Sequence, residues 1–230
     1  MTPQIEQSKQ YQNNPRVLYI ATNIPTPKRH SNRIIITLAE KMSEYYDIDI
    51  VHPIPYAPFP FSLMRKYAPY RGLDSWKEGR WTITPIHFVR MIGNKMSFLL
   101  LPMTRKRIVR YVRSKGIPAL CHAHFVLPDA YFAYCLKKEY AVPYVISFRG
   151  SDLALLDSLG KKGTVNKMFM EVLNHADCVI THNKYQRDFL SERGVDSIIM
   201  ANFMLTLRPF KAKTCNIGFD HTTKYNIQSL

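Results

Sequence analysis

The sequence lacks any apolar stretch long enough to cross a membrane, which takes about 20 residues. The longest candidate, 98–103, is short and contains Pro102. The first segment, 1–15, is a polar extension without the apolar core that secretory signals carry. These absences predict a soluble or peripheral protein rather than an integral membrane protein.

Cysteine is scarce, with four residues in the chain and no paired spacing. Cys121 and Cys178 lie inside apolar runs, where a free cysteine usually serves as a small buried hydrophobic side chain. The spacing therefore favours neither a disulfide framework nor a metal site. A cytoplasmic location, where thiols stay reduced, is expected.

Acidic residues are also few, with 17 against 32 lysines and arginines, so the formal net charge is +15. Such a charge predicts an anionic partner, namely nucleic acid, anionic lipid or a phosphorylated substrate. Thirteen of the basic residues lie within 61–115, opposed only by Asp74 and Glu78. Nucleic acid is not expected, because the sequence has neither the aromatic-basic motif of an RNA-recognition sheet nor a helix-turn-helix signal.

From Arg16 onward, the chain alternates short apolar runs with amphipathic stretches. Such repeated units predict an α/β fold, a doubly wound parallel sheet of the Rossmann-like type, since their crossovers are right-handed. The strands are predicted at 16–22, 48–51, 81–91, 118–125, 143–148, 177–181 and 197–200. The helices are predicted at 31–42, 102–113, 128–139, 165–175 and 184–193.

Two stretches are predicted to be irregular. The first is 53–60, where prolines alternate with aromatic and other residues, and the second is the tail 211–230, which has no periodicity. Open parallel sheets bind ligands at the carboxyl ends of their strands, where the strand order reverses. The chemistry is therefore expected just after Thr22, His124, Phe148 and Thr181.

Two histidines lie near the end of the predicted strand 118–125. His122 and His124 are two residues apart and so share one face of the strand. His124 is the nearer to the crevice, where an imidazole can bind a sugar hydroxyl or a phosphate. His122 is interpreted as a core residue. Metal binding by the pair is not expected, since no third ligand stands nearby.

The run Phe148-Arg149-Gly150-Ser151-Asp152 follows the next strand directly. Gly150 permits a tight turn and a close approach of ligand to backbone. The Arg149 guanidinium is a rigid fork for phosphate or carboxylate. Asp152 has two interpretations, since its carboxylate can accept from sugar hydroxyls or cap the following helix.

The order of these motifs resembles the first domain of the family 4 glycosyltransferases, which are retaining enzymes of the GT-B fold. A histidine-x-histidine strand end, a Leu-Pro helix start, a Val-Pro strand and a Gly-x-Asp turn follow one another. The alanine-aspartate strand at Asp177, with Asn183 after it, and the strand that leads to Asn202 agree with that pattern. The similarity covers about 16–210.

The resemblance implies site residues position by position. It makes His124 the histidine near the transferred sugar, and it adds Arg149, Gly150, Asp152, Asn183 and Asn202 as substrate contacts. Thr26 and Lys28 fall in the loop that contacts an acceptor or donor phosphate. The sequence departs from the pattern there, because prolines at 25 and 27 replace the usual glycine pair. The side-chain charges of 28–30 are expected to compensate.

The resemblance also implies that 16–210 is a single GT-B N-terminal half. The half that holds the nucleotide sugar is expected to be absent, because 211–230 is too short to form it. No tightly bound cofactor is therefore expected, and the nucleotide-sugar donor is expected only with that missing C-terminal domain. Two explanations are open: the gene is truncated or frameshifted, or the missing half comes from another polypeptide. The expected partners are a sugar or lipid-linked acceptor and, under the second explanation, a separate donor domain. The alternative is a non-catalytic remnant that binds membranes or polyanions.

The predicted helix 102–113 is basic and amphipathic. Its charged side is either an ordinary solvated face or an interfacial surface, with 98–101 dipping into lipid headgroups. The resemblance favours the second interpretation, since many relatives use lipid-linked acceptors at the inner face of the cytoplasmic membrane. The predicted membrane or anion surface consists of Arg105, Lys106, Arg107, Arg110 and Arg113.

Overall fold

A computed structural model of the chain describes residues 14–31, 33–90, 94–159 and 163–200. The predicted site residue Asn202 and the predicted tail 211–230 lie outside these residues. The predicted extension 1–15 is described only at its last two positions.

Eight strands of the described chain form one sheet, in the order β3-β4-β2-β1-β5-β6-β7-β8. Every neighbouring pair is parallel except β3 with β4. The strands are β1 Arg16–Ile20, β2 Asp47–Tyr56, β3 Trp76–Glu78, β4 Trp81–Val89, β5 Leu120–Ala123, β6 Tyr144–Ser147, β7 Cys178–Thr181 and β8 Ile198–Ile199. The predicted doubly wound parallel sheet is therefore confirmed.

Helices cover both faces of this sheet. They are α1 Ile34–Met42, α2 Asn94–Leu99, α3 Arg105–Lys115, α4 Tyr131–Tyr140, α5 Gly150–Leu159, α6 Thr164–Asn174 and α7 Lys184–Ser191. Alternate side chains of β1 join two separate cores: Leu18 and Ile20 pack with α3, α4, α5 and α6, whereas Val17 and Tyr19 pack with α1. A strand buried on both faces needs a continuous apolar run, and 16–20 provides one.

The strand order reverses between β1 and β5. From β1 the chain moves outward to β2 and β4, and it then returns to place β5 on the other side of β1. The carboxyl ends of β1 and β5 therefore flank the topological switch point, where sheets of this kind bind their ligands. Thr22 and His124 follow these two ends directly.

The prediction that 53–60 is irregular throughout is wrong, because β2 continues through Pro53 and Pro55 to Tyr56. The Val51 carbonyl accepts a bond from Ala21 N, so residues 51, 53 and 55 of β2 point toward β1. Since β1 ends at Ile20, the two prolines face no pairing strand and their missing N–H groups cost no ladder bond.

The sequence pattern also missed β3, which pairs antiparallel with the start of β4. The two strands are joined across Gly79, whose φ of 60° is the left-handed conformation that glycine adopts readily. Trp76 and Trp81 lie on either side of this turn, and both side chains are buried in the core that contains α1.

The apolar segment before α3 belongs to the core. Phe98 is 9% exposed and Leu101 is fully buried, whereas Leu99 is 40% exposed, so the prediction that the whole of 98–101 dips into lipid is wrong. Both side chains pack with Ile108 and Val112 of α3. Among the described helices, none combines the length and the apolar character that crossing a bilayer requires.

Candidate functional site

Polar side chains gather at the carboxyl ends of three consecutive parallel strands. His122 and His124 lie at the end of β5, Arg149 follows β6, and His182 follows β7. Three of these residues were discussed as candidates from the sequence, whereas His182 was not named, although chemistry was expected just after Thr181. Its signal was present in the sequence, since it directly follows the last residue of the predicted strand 177–181.

The two histidines of β5 stack on each other beside Tyr19. Their ring centroids are 4.3 Å apart with an interplanar angle of 28°, and each ring makes an edge contact with Tyr19 at 5.0 Å. His124 is fully buried, whereas His122 keeps some exposed surface and contacts Ser147 Oγ through Nε2 at 2.9 Å. The order of burial is therefore the reverse of the prediction, which made His122 the core residue.

Both rings are neutral at pH 7. Burial lowers the pKa of His122 to about 3, and the nearby Arg149 and His182 add to this effect. Burial also lowers the pKa of His124 well below its usual value, with further contributions from His122 and Arg149. Neither His124 ring nitrogen has a partner among the described residues. A neutral imidazole offers one donor and one acceptor, so the pair can bind hydroxyl groups.

Arg149 brings the positive charge to this cluster. Its side chain is partly exposed, and its Nε atom has no partner in the described part of the chain. Burial lowers the pKa of the guanidinium, and Asp152 partly offsets this effect. His182 is partly buried, and burial followed by the charge of Arg149 lowers its pKa to about 4. One cation among three neutral imidazoles is suited to bind an anion with hydroxyl groups beside it.

Asp152 lies inside the protein rather than in the crevice. It is 2% exposed, and its two oxygens accept bonds from Val126 N at 3.0 Å and Arg149 N at 2.8 Å. Burial raises its pKa to about 7, against the opposite effect of these two bonds. A carboxylate in the third helical position that reaches back to the residue before the helix is a capping arrangement. The Asp152 carboxylate is therefore not exposed to accept from a sugar hydroxyl, and the structure supports the capping interpretation.

A second buried carboxyl, Asp129, was not predicted from the sequence. Its Oδ2 accepts from Thr22 N at 3.0 Å, so it joins the segment after β1 to the segment after β5 across the switch point. Asp129 is fully buried, and Oδ1 has no partner among the described residues. Burial raises its pKa well above the usual value. The signal was an acid within the otherwise apolar run 125–133.

The loop after β1 is held by its own contacts. Thr26 is buried and exchanges two backbone bonds with Arg29, at 3.0 and 3.1 Å. Lys28 Nζ donates to Arg71 O at 2.6 Å, and Arg29 Nη1 donates to Tyr70 OH at 2.6 Å. Lys28 and Arg29 were predicted to bind a phosphate in place of the glycine pair. In the structure they contact the segment that follows β2.

Gly150 does not form the tight turn that was predicted. It is the first residue of α5, its φ is not in the left-handed region, and a Cβ atom built there would meet nothing within 4 Å. Neither the backbone nor a close neighbour therefore requires glycine at this position. A close approach of ligand to the backbone of Gly150 stays a prediction.

Asn183 caps helix α7. Its side-chain oxygen accepts from Gln186 N at 2.9 Å, and Gln186 Oε1 in turn accepts from His182 N at 2.9 Å. Asn183 is exposed, so a substrate contact stays a prediction beside this structural role.

Replacing Asn183 by alanine is expected to lower the free energy of unfolding by about 1 kcal/mol, because Gln186 N loses its acceptor. Urea unfolding followed by circular dichroism measures the change. Asn174→Ala is the control, since that exposed residue lies at the last position of α6. A loss for Asn183→Ala no larger than for the control would contradict the capping role.

The basic residues of α3 are partly engaged with the protein. Arg105 contacts Glu139 at 2.5 Å, Arg113 Nε donates to Tyr140 OH at 3.0 Å, and Arg107 donates to His87 O at 2.8 Å. Lys106 and Arg110 are exposed. Arg107 and Arg110 line an open hollow of about 400 Å³ between α3 and β4. The basic side chains of α3 therefore form a partly neutralised face, and its contact with a membrane or an anion stays a prediction.

Within the described ranges, no group of three or more histidine, cysteine, aspartate or glutamate side chains is placed to hold a metal ion.

The chain is similar in sequence to a glycosyltransferase of a Gram-positive bacterium. The putative teichuronic acid biosynthesis glycosyltransferase TuaC of Bacillus subtilis (strain 168) is 24% identical over 160 residues, which cover 67% of this chain and 40% of TuaC. The chain thus spans less than half the length of that relative. No protein-family model matches the chain.

A solved structure supports the fold. Trehalose-6-phosphate from E. coli bound with UDP-2-fluoro glucose matches with a TM-score of 0.50 and 10% identity, over 77% of this chain and 43% of that chain. UDP-N-acetylglucosamine 2-epimerase from Rickettsia bellii matches with a TM-score of 0.46 and 13% identity, over 80% of this chain and 43% of that one. The chain has a glycosyltransferase GT-B-like fold, whereas membership of family 4 stays a prediction.

Proposed function

We propose that the chain supplies the acceptor-side half of a retaining, family 4-like glycosyltransferase. Such an enzyme moves a sugar from a nucleotide sugar to a polysaccharide or a lipid-linked acceptor. The observation that carries the proposal is Arg149 among three neutral imidazoles at the carboxyl ends of β5, β6 and β7. This cluster lies beside the switch point of a GT-B-like fold, where ligands of such sheets bind.

The cluster suits the charge changes of sugar transfer. When the bond between sugar and phosphate breaks, negative charge grows on the departing phosphate, and a preorganised cation such as Arg149 stabilises it. The departing phosphate can take the proton of the acceptor hydroxyl, so no separate protein base is needed. The partly exposed His122 is positioned to contact a sugar hydroxyl, and His124 packs behind it as its support.

The nucleotide-sugar donor is proposed to bind a second domain that faces this crevice. Support comes from the curated relative, of which this chain covers 40%. By itself, the chain is expected to release no nucleotide from UDP-glucose or UDP-N-acetylglucosamine. Robust transfer by the chain alone would contradict this proposal.

The acceptor side is tested by binding. A panel of oligosaccharides and polyprenyl-phosphate-linked sugars is titrated against the chain, with ligand-observed NMR as the measurement. Arg149→Ala is expected to weaken the binding of a phosphorylated acceptor by about tenfold, the effect of one lost charged contact. Arg187→Ala is the control, because that arginine is paired with Asp188 on α7. Equal binding by both variants would rule out Arg149 as a contact of the acceptor phosphate.

The alternative of a non-catalytic remnant is less well supported, because the similarity to a glycosyltransferase favours an enzyme. A cytoplasmic protein at the inner face of the membrane, with α3 toward anionic lipid, belongs to the same proposal. It rests on the exposed cations Lys106 and Arg110.

A further inference from the structure

An exposed apolar surface follows β2, at the carboxyl edge of the sheet. Four side chains of the segment 56–64 are open to solvent: Phe59 is 79% exposed, Leu63 62%, Tyr56 49% and Met64 41%. No residue of the short 3-10 turn Phe61–Leu63 is buried. Isolated exposed apolar residues are ordinary, but several large ones close together in sequence usually mark a contact with a partner.

The segment is anchored to the fold by buried residues near its two ends. Ala57 and Tyr67 are each 3% exposed, so they fix the two ends of the apolar stretch to the protein. Arg71 Nη2 donates to Leu63 O at 3.5 Å, and Lys28 donates to Arg71 O at 2.6 Å. The apolar side chains are therefore held outward, and their exposure does not come from a loose loop.

Cations surround this apolar surface. Arg65, Arg71, Lys28 and Arg29 are all exposed, and the last two lie in the neighbouring loop after β1. The sequence has no aspartate or glutamate between Tyr56 and Leu73. Apolar side chains ringed by lysine and arginine are complementary to a surface with an apolar interior and negative headgroups.

We propose that the 56–71 patch docks on an anionic lipid bilayer. Phe59, Leu63 and Met64 enter the headgroup region, while the surrounding cations pair with lipid phosphates. A second copy of the chain is a poorer occupant, since self-association would bring two cationic surfaces together. The proposal rests on the membrane part of the proposed function, for which it names a second surface, and it does not depend on the sugar-transfer part. It also replaces the segment 98–101, in which Phe98 and Leu101 are buried, as the apolar element that meets lipid.

The test measures vesicle binding of the full chain by co-sedimentation. The chain should bind phosphatidylcholine vesicles that contain phosphatidylglycerol, and added salt should weaken the binding. Leu63→Ser combined with Met64→Ser should lower the partition coefficient by about tenfold, because two apolar side chains no longer enter the membrane. Binding that is equal for pure phosphatidylcholine and for anionic vesicles would overturn the proposal.

The matched control is Tyr45→Ser combined with Ile117→Ser. These side chains are 55% and 59% exposed, but they precede β2 and β5 and so lie at the opposite edge of the sheet. The control should bind vesicles like the wild type. Equal losses in the two double variants would overturn the proposal, because they would make the binding unspecific.

Depth is measured with Phe59→Trp. Brominated anionic lipids should quench the new tryptophan, while the buried Trp76 and Trp81 of the wild type provide the background. No quenching above that background would overturn the proposal. Sedimentation velocity without lipid distinguishes a second copy. If Leu63→Ser with Met64→Ser dissolves a dimer and leaves vesicle binding unchanged, the patch is a protein interface and the lipid proposal fails.

Discussion

Lowering the pH from 6.5 to 4.5 is expected to reduce the free energy of unfolding by about 4 kcal/mol. The cause is a group of histidines that fold as neutral imidazoles. Burial holds the pKa of His122 at about 3 and those of His52 and His182 at about 4, and it also lowers the pKa of His124. In the unfolded chain, these rings would protonate near pH 6.5.

The sign of the effect follows from proton uptake. A histidine with a lowered pKa contributes stability above pH 6.5, and this contribution is lost as the pH falls toward the folded-state value. Asp152, whose pKa is raised to about 7, and Asp129, raised by burial, act in the opposite direction. Four imidazoles take up protons on unfolding while two carboxyls release them, so about two protons net are bound per molecule.

Urea unfolding at a series of pH values between 4.5 and 6.5 measures this dependence. His182→Asn should flatten the slope by about 1.4 kcal/mol per pH unit, and Asp152→Asn should steepen it by a similar amount. The two variants are therefore expected to change the pH dependence of the unfolding free energy in opposite directions. A stability that stays level across this window, with the same slope in His182→Asn, would show that His182 takes up no proton on unfolding.

Asp152→Ala is expected to lower the free energy of unfolding by about 3 kcal/mol at pH 7. The carboxylate accepts from Val126 N and Arg149 N, which belong to the segments after β5 and β6. Without it, two backbone N–H groups inside the protein lose their partners, and each costs about 1–3 kcal/mol. The amide protons of Val126 and Arg149 should also exchange faster with solvent.

Asp157→Ala is the matched control, since Asp157 is an exposed acid on the same helix. It should change the stability by less than about 0.5 kcal/mol. Denaturant unfolding gives the energies, and hydrogen exchange gives the local effect. Equal losses in the two variants would contradict the role of the two bonds that Asp152 accepts, because Asp157 accepts neither of them.

The alternation of apolar runs was enough to predict the sheet and its parallel strands. The pattern gave the wrong prediction where the pairing on one side of a strand determines whether that strand tolerates proline. Prolines such as Pro53 and Pro55 would break a strand that is paired on both sides. In β2 they face the side of β1, which has already ended at Ile20. The β3–β4 hairpin was missed because a strand of three residues around Trp76 and Lys77 is too short for periodicity to reveal.

The sequence predicted where the candidate site lies in the fold, but not which contacts its side chains make. The strand ends at His124 and Arg149 follow from chain order, and the structure brings them together. Depth of burial does not follow from alternation, because it depends on Tyr19 of a distant strand, which packs against both histidines. The role of Asp152 was open for the same reason, since its partner Val126 is 26 residues away in the chain.

The prolines of β2 also bear on how the sheet finds its alignment during folding. A slip of β1 along β2 by two residues would keep every side chain on its own face, so the hydrophobic pattern alone would not oppose it. Such a slip toward Tyr56 would place β1 opposite Pro53, which has no N–H to donate. The same residues that leave the end of β2 unpaired therefore act as a stop that favours the native register.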